Sequence, residues 1–134
     1  AYRRQRQMCI RDSCDIMRQR RNECCLQSAR ELEAIFPQFR TEQALEYARD
    51  SGVLYKSGIM QALRELGLAD SIYGERYHEL FGWNPRGRVL HSPEYIPVRE
   101  VLKNFQGRED CTYTIECNTK EDVRMSCRML REIL

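Results

Sequence analysis

Seven cysteines, at positions 9, 14, 24, 25, 111, 117 and 127, constrain this 134-residue chain more than any other feature. In a small protein such density points to a disulfide scaffold and an oxidising compartment. Metal binding is the competing use of cysteine. No Cys-x2-Cys pair exists and neither His78 nor His91 lies near a cysteine, so no metal site or metal cofactor is expected. Cys14 and Cys24 enclose nine residues, and so do Cys117 and Cys127. Ten steps along a helix turn roughly 1000° and rise ~15 Å, which leaves both sulfurs on one side. Two such helices packed antiparallel can join Cys14 to Cys127 and Cys24 to Cys117, equal spacing keeping both rungs in register. If Cys9 is spurious or free, six cysteines remain and a third bridge, Cys25 to Cys111, would close the intervening segment at its base; in an unstrained chain-entropy picture it contributes about 4 kcal/mol, less in practice. Six cysteines allow fifteen pairings, so the spacing leaves the connectivity open.

The rest of the pattern is helical. Ser13 is placed to cap a helix running from Cys14 to Ile35, a stretch without Gly or Pro that must stop near Phe36 because Pro37 follows. Thr41 opens a second helix, closed by Ser51-Gly52. A third starts at Leu54 or Gly58 and carries Ile59, Ala62, Leu63 and Leu66 on one stripe. Asp70 or Ser71 is placed to cap a fourth, with Tyr73, Tyr77, Leu80 and Phe81. Residues 82–92, with Gly82-Trp-Asn-Pro-Arg-Gly87, read as a loop. A short helix is expected from Pro97 to Asn104, and a last one from the Thr119/Asp122 capping pair through Val123, Cys127, Leu130 and Leu134. The alternating run Cys111–Cys117 has a strand pattern: either the fold overrides it, or the last helix begins after Cys117. The fold class is all-α.

Charge is uneven. Residues 1–21 hold seven Arg against Asp12 and Asp15, a balance of +5, while the other 113 residues balance at −3. A basic arm of this kind would suit anionic lipid head groups, but the mildly acidic body has no Lys/Arg cluster interleaved with aromatics, so no nucleic acid partner is expected. Residues 3–13, Arg-Arg-Gln-Arg-Gln-Met-Cys-Ile-Arg-Asp-Ser, closely resemble the conceptual translation of a sequencing-library adapter; if they derive from one, Cys9 and part of the basic arm at 1–13 are not native. No apolar run reaches the ~18 residues of a membrane span, and the N-terminus lacks the apolar core of a secretory signal.

Candidate catalytic groups are sparse. His78 lies in a helical pattern and His91 beside a loop; glycines are scattered at turns and form no phosphate loop; Glu31/Glu33 and Glu109/Asp110 read as solvated pairs. An enzyme is not expected, since that reading needs one of the histidines in a cleft beside a carboxylate. Trp83, Phe81, Tyr77 and Tyr95 form an aromatic set that either fills a core or anchors a partner.

Cys14-x9-Cys24 and Cys117-x9-Cys127, with the Arg/Glu/Met/Leu-rich segments around them, make the chain resemble the twin CX9C, or coiled-coil-helix-coiled-coil-helix, family. The resemblance covers the two ends: helix pair 14–36 and 111–134, with 92 residues between Cys24 and Cys117 where family members have a short loop. It implies a single domain over 14–134, a disulfide-stapled antiparallel pair with residues 37–110 as a helical insertion. It also implies import into the mitochondrial intermembrane space, where an aromatic or bulky apolar residue near a cysteine docks on the import oxidoreductase. Ile10 and Tyr113 each stand four residues before a matching cysteine. The function implied is a non-catalytic accessory subunit of a respiratory-chain complex, complex I or cytochrome c oxidase first, peripheral to the inner membrane and in contact with other subunits. Copper delivery, also known in the family, needs thiols beyond the structural ones, which a bridged Cys24 beside Cys25 does not supply. The reading from another class is a secreted disulfide-stapled helical protein binding a lipid or small apolar ligand.

Overall fold

The computed structural model describes residues 2–109, 112 and 114–134, with the side chains of 2–10 left out of the description. Among the described residues six α-helices follow one another: α1 (Tyr2–Ile35), α2 (Thr41–Leu45), α3 (Lys56–Glu65), α4 (Glu75–Phe81), α5 (Val98–Lys103) and α6 (Lys120–Ile133), with a 3-10 turn at Glu46–Ala48 after α2. Among the described residues there is no strand, and the all-α class holds. No helix among them is long and apolar enough to cross a membrane.

The chain forms two compact units, Ile16–Glu94 and a terminal unit of Ala1–Asp15 with Tyr95–Leu134. In the first, α1 presents Cys25, Ala29 and Leu32, spaced four and three residues apart, to a core completed by Phe39, Ala44, Leu54, Ile59, Met60, Leu63, Leu80, Phe81 and Val89. Polar groups on the same helix fasten the loops. Asn22 donates from Nδ2 to the Gly52 carbonyl (3.0 Å) and accepts from the Leu54 amide through Oδ1 (2.8 Å). The buried Ser28 hydroxyl donates to the Val89 carbonyl (2.7 Å). Segment 87–90 runs against the end of α4, with Arg88 and Val89 amides donating to the Glu79 and Leu80 carbonyls (both 3.0 Å). Only glycine fits at 87, because a Cβ there would stand 2.4 Å from the Leu80 carbonyl group.

Helix boundaries follow local chemistry, with three corrections, the first being that α2 ends at Leu45 and tightens into the 3-10 turn Glu46–Ala48 instead of running on to Ser51-Gly52. Ser13 does not cap a helix: α1 runs through it, because residues 2–12 lack Gly and Pro and carry the same helix formers as the residues beyond. Likewise α4 starts at Glu75 and not after Asp70 or Ser71, since residues 70–73 bend to pack Ile72 against the core and Gly74 then becomes the cap. Elsewhere the expected signals act. Gly67, at φ +72°, ends α3 while the Leu68 amide donates to the Leu63 carbonyl (2.9 Å), and Thr119 Oγ1 accepts from the Asp122 amide (3.1 Å) at the start of α6.

The terminal unit is built differently. Arg99 on α5 pairs with Glu132 on α6 (3.3 Å), yet Ile133 is the sole buried hydrophobic among the described residues of 95–134. Leu32→Ala should therefore lower unfolding free energy by about 3 kcal/mol in a denaturant titration, and Leu130→Ala by less than about 1 kcal/mol.

Candidate functional site

The structure gathers four of the chemistry-bearing residues of the larger unit on one face. Arg21 on α1 lies over the Tyr55 ring at 5.4 Å from its centroid. Lys56, the next residue and the first of α3, holds its ammonium 5.8 Å from the Phe81 centroid and 5.6 Å from that of Trp83. Phe81 is buried at 1% exposure, while Trp83 stands out at 69% and Tyr55 at 48%. The Lys56 ammonium is pushed down chiefly by burial; the Cys25 thiol opposes that shift, Arg21 adds to it, and Cys24 opposes it. Cys25, buried in the core, has its thiol pushed up by burial, with Lys56 pulling the other way.

The five described cysteines are free thiols in the structure: Cys14, Cys24, Cys25, Cys117 and Cys127. Cys14 and Cys24 lie ten steps apart on the unbroken α1, as the spacing requires. The second pair departs from that expectation. The last helix begins only at Lys120, so Cys117 precedes it in irregular chain, with its sulfur 3.6 Å from the Ser126 hydroxyl. The cause is the Thr119 cap, which starts the helix at Lys120, beyond Cys117. Cys111 and Tyr113, and the side chains of Cys9 and Ile10, lie outside what the structure describes, and with them the Cys25–Cys111 bridge.

Of the aromatic set, Phe81 is core and does not offer itself to a partner, Tyr77 is half-buried, and Trp83 and Tyr95 are exposed. His91 sits beside a carboxylate, its Nε2 2.8 Å from Glu31 Oε1. With the Ser28–Val89 bond one turn away, the pair fastens residues 89–91 to α1. No group of three or more His, Cys, Asp or Glu among the described residues is placed to hold a metal ion.

Two more features lay outside sequence reasoning. Glu33 Oε1 accepts from the Thr41 amide (2.7 Å), tying α1 to the first residue of α2. In the terminal unit, Val98, Leu102, Phe105, Ile115, Met129 and Leu130 line an open apolar groove of about 480 Å³. No sequence signal links residues 33 and 41; of the groove, only Leu130 stood among the residues the sequence placed along the last helix.

Comparison with models of protein families, with curated proteins and with solved structures gives no match.

The Thr41 amide holds the Glu33 carboxyl below its ordinary range. A carboxylate depressed in the folded state adds stability above its unfolded value, near pH 4, and that contribution is lost as pH falls through the lowered folded value. Glu33→Gln should therefore be less stable than the parent at pH 7, the difference narrowing toward pH 2, as followed by thermal melts across that range.

Proposed function

We propose that this protein is a non-catalytic accessory subunit of a mitochondrial respiratory-chain complex, held on the intermembrane-space side of the inner membrane. The observation that carries the subunit reading is the uncovered apolar surface of the terminal unit. Along α6, Ile133 is buried and Met129 and Leu130 face the groove, but Val123 (38% exposed) and Leu134 (40%) continue the apolar arc into solvent. Val98 on α5 and Tyr95 before it are exposed at 54% and 60%. A helix this amphipathic with so little of its apolar face covered is the half of an interface that another subunit completes.

The compartment rests on the two nine-residue cysteine spacings and their resemblance to the twin CX9C family. In that reading, oxidation joins Cys14 to Cys127 and Cys24 to Cys117, with Cys25 to Cys111 closing the insertion. Cys117 lies in irregular chain next to α6, so its bridge asks for a local rearrangement of residues 114–119, which carry no core side chain. Complex I and cytochrome c oxidase are the first complexes to test, on family analogy.

A second reading has one observation in its favour. The apolar groove of about 480 Å³ is of a size to take part of an acyl chain or a small apolar molecule, as in a secreted lipid-binding protein.

Peptide mapping of the native protein without reductant, paired with subcellular fractionation and native gels, tests the proposal. The expected result is linked Cys14–Cys127 and Cys24–Cys117 peptides in mitochondria, with the chain migrating in a complex far above its own 16.0 kDa. A Cys14–Cys24 link, thiols free throughout, or migration as a lone monomer overturns it; a lone secreted monomer favours the second reading.

A further inference from the structure

The face carrying Arg21, Tyr55, Lys56 and Trp83 joins two cations to two exposed aromatic rings. Several other surface arginines meet carboxylates: Arg49 with Glu46, Arg76 and Arg88 with Glu79, Arg99 with Glu132, Arg124 with Glu121. Arg21 and Lys56 have no carboxylate partner among the described residues, although they lie near enough for Arg21 to disfavour the Lys56 charge. Each cation is instead laid over an aromatic ring, and those rings, Tyr55 and Trp83, stand half or more exposed. Trp83 projects from the loop after α4, and the same loop carries Arg86, which spends one guanidinium nitrogen on the Leu90 carbonyl (2.8 Å). Two adjacent cations without counter-ions create a positive field that an anion would relieve. Exposed Trp and Tyr beside them match the layer where amphipathic rings settle, between lipid head groups and acyl chains.

We propose that Arg21, Tyr55, Lys56 and Trp83 form a membrane-surface contact: the two cations take phosphates of anionic phospholipids and Trp83 enters the head-group layer. The chemistry recognised is a phosphate diester on an apolar body, which a soluble phosphate lacks. This contact does not involve the Arg residues of segment 1–13, and it stands whichever complex or compartment the protein occupies. Bound phosphate would also offset the desolvation and the Arg21 repulsion now acting on Lys56.

Trp83 is the single tryptophan of the chain, so its emission reports on this face alone. Full-length protein is titrated with vesicles of phosphatidylcholine, with or without phosphatidylglycerol. The expected result is a shift to shorter wavelength with the anionic vesicles, weakened by salt and absent with phosphatidylcholine alone. Arg21→Gln and Lys56→Gln should each lower the apparent affinity about fivefold, the effect of one cation near an anionic surface. Lys56→Arg should restore binding, which separates loss of charge from loss of fold. Arg49→Gln, the same charge change on a residue paired with Glu46, should have little effect. A variant with Arg3, Arg4 and Arg6 changed to Gln should keep the Trp83 shift. No shift with anionic vesicles overturns the proposal. So does an equal loss from Arg49→Gln, or an equal shift from inorganic phosphate or an oligonucleotide.

Discussion

The contact on which the larger unit depends is the packing of one short stripe of α1, Cys25, Ala29 and Leu32, against the helices that follow it. All three are buried in one cluster with residues of α2, α3 and α4, among them Ala44, Ile59, Met60, Leu63, Leu80 and Phe81. Between them Ser28, buried and polar, has its hydroxyl within hydrogen-bond distance of the Val89 and Cys24 carbonyls. The Val89 bond, with the His91–Glu31 pair, fastens residues 89–91 to α1 across 61 positions of sequence.

Chemistry at the surface is a consequence of the same packing. Lys56 is partly desolvated because α3 begins beside the core, and Trp83 is exposed because the turn after α4 must leave the core at Gly82 and return at Gly87. Neither residue was selected by its neighbours in sequence. The terminal unit shows the opposite balance. Its helices are amphipathic but too short and too few to cover one another, so the apolar arc of α6 remains a surface. Burial in the one unit and exposure in the other arise from the same hydrophobic patterning, separated only by how many elements share a core.

Much of the architecture was legible in local signals. Pro37, Gly67 and the Thr119/Asp122 pair end or begin helices by chemistry that acts within a turn, and the stripe through Ile59, Ala62 and Leu63 marks its buried face by period alone. The misplacements have the same origin. Ser13 and Ser71 are good caps, but a cap is used only where the chain on its N-terminal side leaves the helix. Upstream of Ser13 it does not, and beyond Ser71 the pull of Ile72 into the core defers the start. Cys117 illustrates the limit of counting: nine intervening residues imply a helical spacing only if all of them are helical.

The sequence by itself determined the all-α class, most helix ends and the cysteine spacings, because propensity, capping and periodicity are properties of a few consecutive residues. Tertiary structure alone decided which side chains meet. Arg21 with Tyr55, Lys56 with Trp83, Glu31 with His91 and Glu33 with Thr41 are pairings across loops, set by how α1 docks on its neighbours. Such docking is governed by the summed burial of many side chains, a quantity that no short stretch of the chain contains.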